Sequence, residues 1–162
     1  MTYSGRYKVK NPEKYRGDPK NVIYRSMWEK HCMQFFDSSS DVVNWSSEEI
    51  VIPYLYEADK RWHRYFPDFK VTWKDGSTSL IEVKPNKETT PPTGQRRTKQ
   101  YINEAFTFIK NQNKWEAANE YAKDQGWRFE VWTEIELRAM RILPKPIKKL
   151  KPLPKYSRKK NK

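Results

Sequence analysis

Three side chains in the middle of this 162-residue chain, Asp68, Glu82 and Lys84, have types and spacing suited to chemistry at phosphorus. They lie in residues 64–85, RYFPDFKVTWKDGSTSLIEVKP, which read as two strands and a turn. Residues two apart in a strand share a face, so Glu82 and Lys84 point together while Ile81 and Val83 point away. Asp68 likewise shares a face with Phe66 and Lys70, opposite to Phe69, Val71 and Trp73. The turn decides whether the acids meet. A two-residue Asp75-Gly76 loop sets Asp68 opposite Val83 and mixes charged with apolar residues on both faces, which is costly where one face is buried. A three-residue loop, Lys74-Asp75-Gly76 with Gly76 left-handed in a G1 bulge, pairs Trp73 with Ser77. Asp68 then faces Glu82, Phe66 faces Lys84, and Phe69, Val71, Trp73, Ile81 and Val83 form one apolar face. The three-residue turn is therefore expected.

That register brings two carboxylates to a Cβ separation of roughly 4.5–5.5 Å, where they repel. A hard divalent cation relieves the repulsion, and Mg²⁺ favours a few carboxylates completed by water and substrate phosphate. Lys84, one step along the same face, can offset developing negative charge or assist the attacking water. The set suits metal-dependent phosphodiester hydrolysis, with one Mg²⁺ or two about 4 Å apart. The plain alternative is a surface strand carrying a Lys–Glu pair, because a P-D … E-x-K pattern also arises by chance.

The elements that must position these residues follow from periodicity. Residues 1–20, Lys-rich and broken by Pro12, Gly17 and Pro19, read as an extended basic arm. Helical spacing starts near Tyr24 and runs through Trp28, Cys32, Phe35 and Phe36, with Ser26 and Glu29 in capping-box relation. Strands are expected over 50–56, 65–73 and 79–84, with Pro85 ending the last. A polar loop over 86–97 precedes a helical pattern from Thr98 to Ala122, in which Asn111-Gln112-Asn113 offers a break into two helices. Gly126 is a helix stop, 127–132 a strand, and Thr133-x-x-Glu136 caps a short last helix. The order α-β-β-β-α-β-α gives one mixed α/β domain over 21–142. Trp28, Phe35, Phe36, Phe108 and Trp115 fall at core spacing. His31 and His63 share no ligand spacing and read as ordinary residues.

Charge points to a polyanion. Of the formal net charge of +13, +9 lies in residues 145–162, a Lys/Pro-rich basic tail with eight Lys, one Arg and no acid. Its prolines forbid a basic amphipathic helix, which favours nucleic acid over a membrane surface, although a solubilising tail has the same composition. No apolar run approaches the roughly 20 residues of a membrane span, and the N-terminus suggests no secretory signal. A lone Cys32 excludes an internal disulfide and fits a reducing compartment. No heptads are present. Arg96, Arg97 and Lys99, beside the proposed catalytic strand, are placed to neutralise phosphates or simply to solvate a loop.

With these residues in place, the Pro67-Asp68 … Glu82-Val83-Lys84 arrangement, preceded by a helix bearing Glu29, resembles the PD-(D/E)XK nuclease superfamily. More narrowly, residues 14–30 (KYRGDPKNVIYRSMWEK), 51–54, 60–69, 81–92 (IEVKPNKETTPP) and 113–118 are similar to the head-completion nucleases of T-even-type tailed phages. The endonuclease subunit of heteromeric bacterial transposases is more distantly similar. The resemblance implies a restriction-endonuclease-like fold, with a mixed central sheet flanked by helices, and Mg²⁺-dependent cleavage of double-stranded DNA, endonucleolytic with exonucleolytic action in addition. It implies metal held by Asp68, Glu82 and the carbonyl of Val83, reaction chemistry at Lys84, and completion of the site by Glu29. Residue spacing alone leaves Glu29 equally able to bond the Ser26 backbone N–H as a helix cap. The implied setting is virion assembly in the bacterial host cytoplasm, with head, portal or neck proteins as partners and retention in the particle as an extension. Two rival readings stand: a neck or head structural protein that binds DNA without cleaving it, and a transposition or repair nuclease. The 143–162 tail departs from the family pattern.

Overall fold

A computed structural model describes residues 3–94, 97–146 and 148. Arg96 and most of the basic tail lie outside them. The chain forms β1 (Gly5–Arg6), β2 (Ile23–Tyr24), α1 (Met27–Ser38), β3 (Val42–Ser47), β4 (Ile52–Tyr56), β5 (Arg61–Tyr65), β6 (Phe69–Trp73), β7 (Thr78–Val83), α2 (Lys99–Gln125), β8 (Arg128–Trp132) and α3 (Glu134–Ala139). The central sheet has the order β3-β6-β7-β8, antiparallel except for the parallel β7–β8 pair. Two small ribbons, β1–β2 and β4–β5, stand outside it.

The class is the expected mixed α/β, with additions to the element order. The expected strand over 65–73 divides into β5 and β6, with Pro67, which has no N–H to give a ladder, between them. The strand β3 is an addition that alternation hid. A register shift between Val42 and Asn44 puts Val42 and Trp45, three apart, both in the core, which breaks the period of two. The expected break at Asn111-Gln112-Asn113 does not occur, and α2 is continuous. Asn113 instead serves a neighbour, its Oδ1 accepting the Glu57 N–H at 3.0 Å.

Both faces of the sheet are covered. On one, Phe69, Val71 and Ile81 pack with Trp45, Phe36 and Met33 of α1, and with Leu137 of α3. On the other, Leu80 packs with Ala118 and Ala122 of α2 and with Ile52, Tyr54 and Tyr65 of the β4–β5 ribbon. Burial of both faces explains why Leu80 and Ile81, adjacent and oppositely directed, are each fully buried. Helix ends follow local chemistry: Ser26 accepts from the Glu29 N–H, Thr133 forms a capping box with Glu136, and Gly126 ends α2 at φ 74°.

The N-terminal segment is extended but packed, with Tyr7, Val9 and Tyr15 buried in the first core. Its anchor is Asp37 on α1, whose carboxylate accepts from the Tyr7 hydroxyl at 2.8 Å and from the Lys10 and Asn11 backbone N–H groups at 2.7 and 3.0 Å. Removing it leaves three donors without a partner. Asp37→Ala is expected to lower stability by about 3 kcal/mol in urea unfolding. An unchanged midpoint would show that the segment is not held by this carboxylate.

Candidate active site

The turn after β6 has three residues, as the apolar face requires. The Trp73 N–H donates to the Ser77 carbonyl at 2.8 Å, the Gly76 N–H to the Trp73 carbonyl at 3.0 Å, and Gly76 has φ 87°. Thr72 pairs with Thr78 and Phe69 with Ile81, so the same register carried one step further sets Asp68 opposite Glu82. The pairing is closed by a side chain. Asp68 Oδ2 accepts the Val83 backbone N–H at 2.8 Å.

Each carboxylate of the site has one oxygen tied. Glu82 Oε2 accepts the Tyr65 hydroxyl at 2.6 Å, and Glu29 Oε2 accepts the Arg25 N–H at 2.8 Å. The expected bond from Ser26 to Glu29 is therefore corrected by one residue: the carboxylate reaches past the cap to Arg25, while Ser26 Oγ still accepts from the Glu29 N–H at 3.2 Å. Among the described residues, Asp68 Oδ1 and Glu29 Oε1 have no hydrogen-bond donor, while Glu82 is also drawn on by the Asp68 backbone N–H. Tied oxygens orient the groups and the remaining ones are available to a cation.

The electrostatics agree with that division. Burial pushes Asp68 well above the usual carboxylate range, and the negative charges of Glu82 and Glu29 push it further. Burial also raises Glu82, against the Tyr65 bond and the nearby Lys84 and Lys114. Glu29 is raised by burial and by Glu48 and Glu82, against the Arg25 bond. Three acids feel one another across a site that disfavours their charge. Among the described residues, no three His, Cys, Asp or Glu side chains form a ready metal cluster. The two opposed carboxylates could hold a divalent cation whose remaining positions are filled by water.

Several contributors escaped the sequence reading. Glu48 adopts φ 54°, uncommon for a residue with a Cβ, and donates its N–H to the Asp68 carbonyl at 3.1 Å. Its carboxylate grips Arg25 at 2.8 and 3.0 Å, and the Arg25 N–H in turn holds Glu29. One strained residue thereby links the backbone at Asp68 to the orientation of Glu29. Lys114 of α2 is another. Its ammonium lies 5.5 Å from the centre of the Tyr65 ring, and burial lowers its pKa while Glu82 opposes the drop. A signal for it existed: Lys114 precedes Ala118 and Ala122 at intervals of four, a cation in the buried stripe of a helix. Lys84 is half-buried, and its N–H donates to the Trp132 carbonyl at 3.0 Å, continuing the β7–β8 pairing. The Asn86 N–H, bonded to Glu134 at 2.8 Å, fixes the chain just beyond.

Arg97 and Lys99 are exposed. Lys99 lines a cavity with Lys87, Gln100 and Asn103, which Glu29, Asp68, Glu82 and Lys84 do not line. His63 bonds Asp59 at 2.7 Å and plays no part in the site.

The chain is similar to known nucleases in sequence. The family described as "TnsA-like endonuclease N terminal" matches residues 39–134, a span holding Asp68, Glu82, Lys84 and Lys114. The head completion nuclease of Enterobacteria phage T4 is 41% identical over 145 residues, covering 86% of this chain and 97% of that protein.

Raised carboxylates contribute stability that is present below the ordinary carboxylate range and lost as pH rises through their shifted values. At neutral pH the metal-free protein is therefore destabilised by its own site. Asp68→Asn is expected to raise the melting temperature by about 2–4 °C at pH 7 in EDTA, the difference vanishing toward pH 4, and to abolish stabilisation by added Mg²⁺. A variant no more stable than the parent at pH 7 would contradict the repulsion.

Proposed function

Since the chain belongs to the TnsA-like endonuclease family, we propose that it is a Mg²⁺-dependent deoxyribonuclease that hydrolyses the phosphodiester bonds of double-stranded DNA. The observation that carries this reading is the pairing of Asp68 and Glu82 across one hairpin, with Asp68 Oδ1 free, beside two lysines. Asp68 and Glu82, with the Val83 carbonyl, would hold the metal, one ion or two. When bound, the metal supplies Lewis-acid polarisation of the phosphoryl group and a water made acidic enough to attack at neutral pH.

The chain's own residues do the rest. The Tyr65 hydroxyl and the Val83 N–H fix the two carboxylates so that little reorganisation accompanies substrate binding. Lys84, on the strand that carries Glu82, offsets charge that accumulates on the phosphoryl oxygens as the attacking oxygen adds in line. Lys114, approaching from α2, adds a second positive charge that balances the acids while the site is empty of phosphate. Glu29, held by Arg25, lies close enough to Asp68 and Glu82 to feel their charge and has one oxygen left for metal or water. No base-reading motif accompanies these groups, so cleavage with little sequence preference and strong salt dependence follows. Arg96, Arg97 and Lys99 are assigned to phosphates beyond the cut.

The relative's name supports a place in phage head completion. Head, portal or neck proteins as partners, action in the host cytoplasm and retention in the particle are proposed beyond what that name says. Among the described residues no helix is long and apolar enough to cross a membrane. The basic tail fits a DNA or acidic-protein contact in either the enzymatic or the purely structural role.

The test is cleavage of circular and linear duplex DNA by the purified chain with Mg²⁺ or EDTA. Cutting is expected only with Mg²⁺. Lys84→Ala is expected to lower kcat by about 10²–10³-fold and Lys114→Ala by about 10-fold or more. Glu29→Gln should also lose activity, and full activity there would return Glu29 to helix capping. DNA binding without cutting, equal in the parent and Lys84→Ala, would favour the structural role.

A further inference from the structure

The β4–β5 ribbon sorts its side chains sharply. Ile52, Tyr54 and Tyr65 are buried toward α2, while Val51, Leu55, Trp62 and Phe66 turn outward at 43, 46, 72 and 41% exposure. Leu55 and Trp62 are directly opposed, as are Pro53 and Arg64, and the same register continues to Val51 and Phe66. Scattered exposed apolar residues are ordinary, but four on one face of one ribbon form a patch of the kind that marks a binding surface. Arg64 lies among them, with Lys60 and Arg61 at the turn. None of these three cations forms an ion pair among the described residues, and the turn's Asp59 is occupied by His63 and the Arg61 N–H.

The ribbon is also continuous with the active site. β5 ends at Tyr65, whose hydroxyl bonds Glu82, and the chain passes through Phe66 and Pro67 directly to Asp68. Trp62 stands six residues from Asp68, at most roughly 20 Å of extended chain, or about six nucleotides. That bound puts the ribbon within reach of DNA held at Asp68 and Glu82, although Tyr65 meets Glu82 from the opposite, inner face. A flat ring with apolar neighbours and unpaired cations beside it matches the chemistry of an unstacked base and its flanking phosphates.

Resting on the reading of this chain as a DNA nuclease, we propose that the outward face of the β4–β5 ribbon binds DNA within about six nucleotides of the scissile phosphate. Trp62 stacks on an unpaired base and Arg64 meets a phosphate, so DNA with a single-stranded or frayed flank is preferred over closed duplex.

Fluorescence anisotropy with labelled DNA in EDTA reads binding without cleavage. The full-length chain is expected to bind a duplex carrying a short single-stranded flank more tightly than the blunt duplex. Trp62→Ala should remove that preference, weakening binding to the flanked DNA roughly tenfold, while Trp62→Phe keeps most of it. Val43→Ser, which removes an exposed apolar residue of β3 outside the β4–β5 ribbon, is the control and should bind as the parent does. Thermal melts confirm that each variant is folded. Parent-like binding of both DNAs by Trp62→Ala overturns the proposal. So does a dimer of the parent in sedimentation that Trp62→Ala dissociates with DNA affinity unchanged, which would assign the face to a second copy. Trp62-dependent binding in a chain that never cuts with Mg²⁺ would sink the nuclease reading and leave this surface standing. Cutting with Trp62-independent binding would do the reverse.

Discussion

Two carboxylates held opposite each other on a hairpin, Glu82 buried and Asp68 half-buried, are the constraint on which the rest of the structure depends. Unit charges roughly 5 Å apart, at an effective dielectric of about 20, repel by about 3 kcal/mol. That is a sizeable part of the roughly 5–15 kcal/mol by which a typical domain is stable. Such an arrangement persists only when the surrounding fold over-determines it. Here the determinants are the three-residue turn that sets the register, the Val83 N–H on Asp68 and the Tyr65 hydroxyl on Glu82.

The covering layers follow from the same constraint. Leu80, next to Glu82 in β7, packs under α2 and the β4–β5 ribbon, which together keep Glu82 7% exposed. Lys114 then enters on the helix that performs the covering. On the other side, α1 packs its apolar face against the sheet and delivers Glu29 from its first turn. Glu48, in its left-handed conformation, ties that helix start to the backbone at Asp68 through Arg25. Strain and like charge gathered at one place, with well-packed apolar layers on either side, form the pattern expected of a site kept for function rather than stability.

Much of this was legible in the residues. Alternation through 69–83 specified which face was apolar, and the apolar face in turn selected the turn length, so the Asp68–Glu82 register could be reasoned out. Ser26, Gly126 and Thr133 marked helix ends through local hydrogen bonding, which sequence carries faithfully. The rest depended on distant contacts. β3 was hidden because a bulge put Val42 and Trp45 out of phase. Pro67 divided what alternation had joined. The bond from Arg25 to Glu29 displaced a capping contact by one residue, because Arg25 is itself held by Glu48, 23 positions away. The left-handed φ of Glu48 has no signature in residue type, and Tyr65 meets Glu82 only after the ribbon folds over the sheet.

The central claim, that Asp68 and Glu82 hold a catalytic metal between them, is tested most directly by locating that metal. Crystals grown with Mn²⁺ in place of Mg²⁺ would reveal the ion by its anomalous scattering. The account predicts a peak bounded by Asp68 and Glu82 oxygens at about 2.0–2.2 Å, with the Val83 carbonyl close by. A fully ordered site with no peak there, or a peak held by other residues, would contradict it.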